Sequence, residues 1–234
     1  MEDTKFFTRN YRRLKDWIRF RYQISNTYDS FLIREIDAKP SECILDLGSG
    51  NGRFSAAMAT SGARVVALDI NKAMLREVLK MIKSIRIGVD LVLADAQRLP
   101  LREGAFDKVL CAQSLWYIPF YSIVVREIFR ILKRKGSIVF DYLTPFNWRF
   151  LLNGIIFKIT PKSLRPKLAK LVKKDLMPVY IRTKGRILTP FRLQNMDIYS
   201  LQRGKLHKGN AMFASRLIVR STITKRQNNM RKDL

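Results

Sequence analysis

Residues 44–55, ILDLGSGNGRFS, constrain this chain more than any other stretch. The apolar residues around Asp46 read as a buried strand, and Gly48, Gly50 and Gly52 follow at alternate positions. Glycines so close together permit a tight turn with positive φ, and the small-residue run 54–59 continues it as a helix. That order lets backbone N–H groups meet a ligand at the carboxyl end of the strand. An ordinary strand-to-helix turn has the same order, so spacing must discriminate. A dinucleotide turn, G-x-G-x-x-G, would put its third glycine at position 53, which is Arg53. Here the third glycine comes one residue earlier, and an acid stands two residues before the first.

The strand–helix step then repeats. Residues 64–68 predict a second strand ending at Asp69, 23 residues after Asp46, which is the length of one βαβ unit. An acid there can accept hydrogen bonds from both hydroxyls of a ribose, while Asn71 suits the cap of a helix over 72–83. Residues 90–94 form a third strand followed by Asp95 and Ala96, and 108–112 a fourth, braced by Asp107. A helix over 122–132 buries Val124, Ile128 and Leu132, and Gly136 is expected to stop it.

Three of these segments resemble the class I S-adenosylmethionine-dependent methyltransferases. Residues 44–55 are similar to motif I of that family. ADAQRLPLREGAFDKVL, 94–110, resembles the type 11 branch in its D-A, L-P and F-D-x-V elements. REIFRILKRKGSIVFD, 126–141, resembles the helix, R-x-L-K-P-G-G turn and fifth strand of the family, with Lys-Arg-Lys-Gly replacing Lys-Pro-Gly-Gly. The resemblance spans residues 43–142. It implies an α/β, Rossmann-like, doubly wound seven-stranded sheet with an antiparallel last strand, an N-terminal helical segment and a helical insertion after strand five. It also implies S-adenosylmethionine as cofactor. The expected contacts are Asp46, Gly48, Ser49, Gly50 and Gly52 in motif I, Asp69 on the ribose with Ile70 and Met74 beyond it, Asp95 on the adenine amino group beside Ala96, and Gln113 in the loop at the methionine end. Many members carry a histidine near the position of Trp116. In its absence Trp116 and Tyr117 are either an aromatic wall for the acceptor or sulfonium, or core residues of the next helix.

The chain reads as one methyltransferase domain over 1–234. Basic N-terminal helices occupy 1–40, with a helical reading over 5–36, and family members often cover the pocket with such a segment, which would bring Tyr22 or Tyr28 near the ligand. The cofactor half is 41–142. A helical cap insertion, 143–192, contains helices over 147–159 and 163–174. A closing antiparallel hairpin, 193–224, has strands over 193–201 and 212–224 and a basic loop at 203–210; a polar tail follows from 225.

Charge adds a partner. The net charge is +26, and residues 1–143 hold 24 basic and 16 acidic side chains while 144–234 hold 21 and 3. Such an excess favours an anionic partner, RNA or an acidic membrane surface, over ion-pair networks that would need matching acids. One histidine and two cysteines offer no transition-metal cluster, and Cys43 and Cys111, at opposite ends of their strands, are expected as free thiols. The N-terminus lacks an apolar signal core, so a cytoplasmic protein, peripheral to a membrane at most, is expected. Three readings follow: a methyltransferase with a small or lipid-like acceptor, favoured by the apolar insertion; an RNA methyltransferase using the basic C-terminal half; and a non-catalytic nucleic-acid-binding protein with the same fold. His207 falls in the expected basic loop, and no catalytic residue is assigned. Oligomeric state is not legible.

Overall fold

The computed structural model describes residues 26–143, 155–156, 159–161, 163–164, 196–202, 205–208 and 216–222. The helix expected before residue 26, with Tyr22, lies outside these residues, as do most of the expected insertion and the tail. The described elements in chain order are α1 (Asn26–Ile36), β1 (Cys43–Leu47), α2 (Arg53–Thr60), β2 (Arg64–Asp69), α3 (Lys72–Ile85), β3 (Asp90–Leu93) and β4 (Phe106–Cys111). A 3-10 turn (Leu115–Tyr117), α4 (Tyr121–Ile131), β5 (Leu132–Leu143), β6 (Met196–Gln202), β7 (Lys205–Lys208) and β8 (Arg216–Thr222) follow.

The strands make one sheet in the order β3-β2-β1-β4-β5-β8-β6-β7. β1 to β5 pair in parallel, and β8 inserts antiparallel between β5 and β6. The order reverses between β2-β1 and β4-β5, so the ends of β1 and β4 open a crevice where ligands bind in doubly wound sheets. The antiparallel last strand is present. The sheet nevertheless has eight strands among the described residues instead of seven, because part of the expected basic loop pairs as β7, Lys205–Lys208, against β6. His207 therefore stands in an edge strand opposite Ser200.

Alternation along the strands sends side chains to two cores. Leu45, Leu47, Val109, Phe140 and Tyr142 bury against Val124, Val125, Ile128 and Ile131 of α4 on one face. Ile44, Leu110, Val139 and Ile218 bury on the other against Tyr28, Phe31, Leu32 and Ile36 of α1 and Phe54 and Met58 of α2. Each such buried side chain contributes about 1.5–3 kcal/mol, enough to dock a helix too short to persist alone.

Gly136 does not stop the preceding helix. α4 ends at Ile131, where Leu132 turns extended, and Gly136 lies inside β5. A Cβ there would stand 3.0 Å from the Lys133 carbonyl oxygen and 3.1 Å from that of Asp107. The glycine permits this close backbone approach as the register slips from Phe106↔Leu132 to Lys108↔Ser137. Asp107 braces the same junction, accepting from the Cys43 N–H at 2.9 Å and from Lys133 Nζ at 2.8 Å.

Candidate functional site

Gly48, Gly50 and Gly52 all have positive φ, at 75°, 55° and 79°, and each is glycine for a different reason. A Cβ on Gly48 would lie 2.6 Å from Ser114 Cβ, and one on Gly52 2.7 Å from Val78 Cγ1. The glycine turn is thus wedged between the loop after β4 and helix α3. A Cβ on Gly50 would meet nothing within 4 Å, so protein packing leaves that side of the turn open.

Hydrogen bonds tie this turn to its neighbours. The Gly48 and Ser49 N–H groups donate to the Leu68 carbonyl at 2.8 and 3.0 Å. The Gly50 N–H donates to Asp69 Oδ2 at 2.9 Å, and the Asn71 N–H to Asp69 Oδ1 at 2.8 Å. Burial pushes the Asp69 carboxyl above the ordinary range, while the N–H groups of Asn71, Gly50 and Ile70 pull it back. Asn71 caps α3 by accepting from the Ala73 N–H at 2.9 Å, which leaves Asp69 to the crevice. Ile70 follows at the mouth, half-buried, and Met74 is buried in the first turn of α3.

The third strand joins the same edge, because the Ala94 N–H donates to the Asp69 carbonyl at 3.2 Å. Asp95 Oδ1 then accepts from the Gln97 N–H at 2.9 Å, and the longer contact of Oδ2, 3.3 Å from Gln97 Nε2, leaves lone-pair capacity there. Asp95 and Ala96 are both half-buried.

Asp46 lies deeper. It is 1% exposed, and Ser55 Oγ donates to its Oδ2 at 2.5 Å, which ties β1 to the first turn of α2. Burial raises its pKa to about 6 despite that bond and the nearby Arg53. Its side chain braces the glycine turn from beneath.

At the β4 side Gln113 adopts φ 58° and is 3% exposed, and neither its Nε2 nor its Oε1 has a hydrogen-bond partner. The Ser49 hydroxyl is likewise buried and unpartnered. Polar atoms in this condition cost stability unless a ligand completes them. Gln113 is held from below, its N–H donating to Asp141 Oδ1 at 2.6 Å. Ser114 Oγ donates to the Leu47 carbonyl at 3.1 Å and lies 3.1 Å from Cys111 Sγ, whose pKa burial raises to about 12. Both cysteines are free thiols. Trp116 is buried against Leu143, with the Tyr117 ring 5.7 Å from its own.

The expected contact residues therefore gather along one sheet edge, apart from the buried side chain of Asp46. Sequence reasoning missed Ser114, Ser55 and Asp141. The only mark of Asp141 was an acid inside the apolar run SIVFDYL. Tyr28 does not face the crevice as expected: its hydroxyl donates to Asp141 inside the core. Among the described residues no group of three or more His, Cys, Asp or Glu is arranged to hold a metal.

The ligand suited to this edge has groups for two carboxylates and for the buried Ser49 and Gln113, plus a part that meets the open side of Gly50. S-adenosylmethionine has these: a ribose diol, an adenine amine and an α-amino acid terminus.

Comparison with known proteins agrees. The profile of a family described as a methyltransferase domain matches residues 45–140. A demethylmenaquinone methyltransferase of Corynebacterium efficiens is 30% identical over 165 residues, covering 66% of this chain and 68% of the relative. A malonyl-[acyl-carrier protein] O-methyltransferase of Legionella pneumophila is 36% identical over 110 residues, 46% of this chain and 38% of that protein. Among solved structures, a SAM-dependent methyltransferase of Methanosarcina mazei superposes with a TM-score of 0.58 at 16% identity, covering 80% of this chain and 94% of the other. That likeness speaks to the fold, and the sequence relatives carry the assignment: this chain belongs to the class I S-adenosylmethionine-dependent methyltransferases, in the type 11 branch.

Proposed function

We propose that this methyltransferase acts on a small, lipid-like acceptor and works against an anionic membrane surface. The observation that carries the reading is the exposure of Ile155, Ile159 and Leu164, at 46%, 73% and 47%, in a stretch without acids. Between Asp141 and Asp175 the sequence has no Asp or Glu and eight Lys or Arg. Apolar side chains among cations suit a lipid interface better than a phosphate backbone, which has no use for exposed isoleucine. The stretch follows β5, and Phe120, 59% exposed, follows β4, so both leave the sheet at the edge that holds the crevice. The relative named for demethylmenaquinone, a quinone, supports the same acceptor class. No helix among the described residues is long and apolar enough to cross a membrane, so contact would be peripheral.

In this reading S-adenosylmethionine supplies an electrophilic methyl group, and the chain supplies position. Asp69 holds the ribose hydroxyls, and Asp95, beside Ala96, accepts from the adenine amine. Ser49, Gln113 and the Gly48–Gly52 turn take the amino acid end, while Ile70 and Met74 cover the nucleoside. Asp46 supports the turn. Orientation and exclusion of water then do much of the catalysis, without a base drawn from the described residues.

The test supplies methyl-labelled cofactor with a total lipid extract in anionic vesicles, and separately with bulk RNA. Label in the organic phase, with flotation that requires the anionic lipid, is the expected result. Label in RNA would replace this reading with the RNA methyltransferase that the C-terminal charge also favours.

A further inference from the structure

Helix α1 does more than cover the sheet. Its consecutive residues Tyr28 and Asp29 reach the two loops on either side of the crevice. The Tyr28 hydroxyl, on a side chain 1% exposed, donates to Asp141 Oδ2, a bond that links positions 113 residues apart. The other oxygen of the same carboxylate accepts the Gln113 N–H at 2.6 Å. Asp29 meets Arg53 through two contacts, Nε to Oδ2 at 2.9 Å and NH2 to Oδ1 at 3.3 Å. Arg53 opens α2 directly after Gly52, and its guanidinium lies 4.3 Å over the Phe54 ring. Thus Tyr28 acts on the β4 loop and Asp29 on the glycine turn. Those two loops abut where Gly48 touches Ser114.

Gln113 needs such support. Its φ of 58° lies in the left-handed region, which a residue with a side chain seldom adopts and which strains the backbone. Its amide is buried without a protein partner. A residue in that state relaxes unless its backbone is held, and the Asp141 carboxylate holds it. The carboxylate is in turn aimed by Tyr28, because a fully buried acid without well-placed donors would turn towards any it could reach.

We infer that Tyr28 and Asp141 are positioning residues of the cofactor site: the phenol of α1 orients a buried carboxylate, which holds the Gln113 backbone in its strained, cofactor-receiving conformation. This rests on the proposed contact between Gln113 and the amino acid end of the cofactor. It makes α1 part of the binding site although none of its side chains is needed against the ligand. The link is directional. Losing the Tyr28 hydroxyl disturbs Gln113, whereas apolar packing by Phe31, Leu32 and Ile36 keeps α1 on the sheet.

The test uses the full chain and S-adenosylhomocysteine. Tyr28→Phe keeps the ring and removes the donor, and it should weaken binding about tenfold, the scale of one hydrogen bond to a charged group. It should also speed hydrogen exchange at the Gln113 amide. Asp141→Asn is the rescue: its oxygen can accept from the Gln113 N–H and its NH2 can donate to the Tyr28 oxygen, so affinity should stay within about threefold of wild type. Ile128→Val, in the core on the opposite face, serves as the control for a general loss of stability. If Tyr28→Phe lowers the melting temperature but leaves affinity and Gln113 exchange where Ile128→Val leaves them, the positioning role is overturned. If Gln113→Ala binds as tightly as wild type, the contact on which the inference rests is overturned instead. Each failure has its own variant.

Discussion

Asp69 Oδ2 accepts the Gly50 N–H at 2.9 Å, so the last residue of β2 and the middle glycine of the β1 turn form one hydrogen-bonded unit. The carboxylate that is proposed to take the ribose therefore also sets the conformation of the turn. Asp69→Ala should remove both and weaken S-adenosylhomocysteine binding about 30- to 100-fold, the loss of one or two hydrogen bonds to a charged acceptor. Asp69→Asn keeps an oxygen for one donor and should lose less. Calorimetric titration measures this, and unchanged affinity in Asp69→Ala would take the residue out of the site.

Gly48 and Gly50 share positive φ but not surroundings, and alanine should separate them. At Gly48 the new Cβ meets Ser114 Cβ at 2.6 Å, so Gly48→Ala should cost about 2–4 kcal/mol of stability from strain and overlap together. Adding Ser114→Gly should return part of it. At Gly50 the protein leaves open space, so Gly50→Ala should cost only the backbone strain, about 1 kcal/mol, yet weaken cofactor binding more than tenfold. Urea melts beside binding titrations decide the matter. Equal affinity in Gly50→Ala would show that no ligand approaches that side of the turn.

What the sequence revealed and what it hid divide by distance along the chain. The step from Asp46 to Asp69 and the Asn71 cap are local or follow from one βαβ unit, and the structure has both. Gly136 was misread because a glycine after a helix usually ends it; here its use is contact with the Asp107 carbonyl on a strand 29 residues earlier in the chain. β7 was hidden by its composition, since the basic segment reads as a loop until β6 supplies a pairing edge. The Tyr28–Asp141–Gln113 connection joins three elements that no periodicity relates.

The state of Asp46 yields a pH dependence. Its pKa rises from the ordinary aspartate value near 4 to about 6 on folding, chiefly through burial. Below about pH 4 the group is protonated in both states and costs nothing. Between about pH 4 and 6 the unfolded chain ionises first, so stability falls as pH rises, and above the folded value the loss is complete at up to about 3 kcal/mol. Asp46→Asn keeps an acceptor for Ser55 and removes the titration. The difference in unfolding free energy between variant and wild type should therefore grow in favour of the variant between pH 4 and pH 6.5. A flat difference across that range would mean that Asp46 ionises normally in the folded protein.

Asp95 offers the sharpest separation of ligand contact from architecture. Its Oδ1 serves the Gln97 N–H, so Asp95→Ala will disturb the turn after β3 whatever the ligand does. Affinity loss alone would then be ambiguous. A cofactor product whose adenine amine is replaced by oxygen removes the same interaction from the other side. If Asp95 accepts from that amine, wild type should prefer the amino compound by about tenfold and Asp95→Ala should lose the preference, binding both equally weakly. If the disturbance is only architectural, the variant should weaken both ligands by the same factor and keep the preference. Four titrations complete the cycle, and the coupling they yield is independent of how far the turn itself has moved.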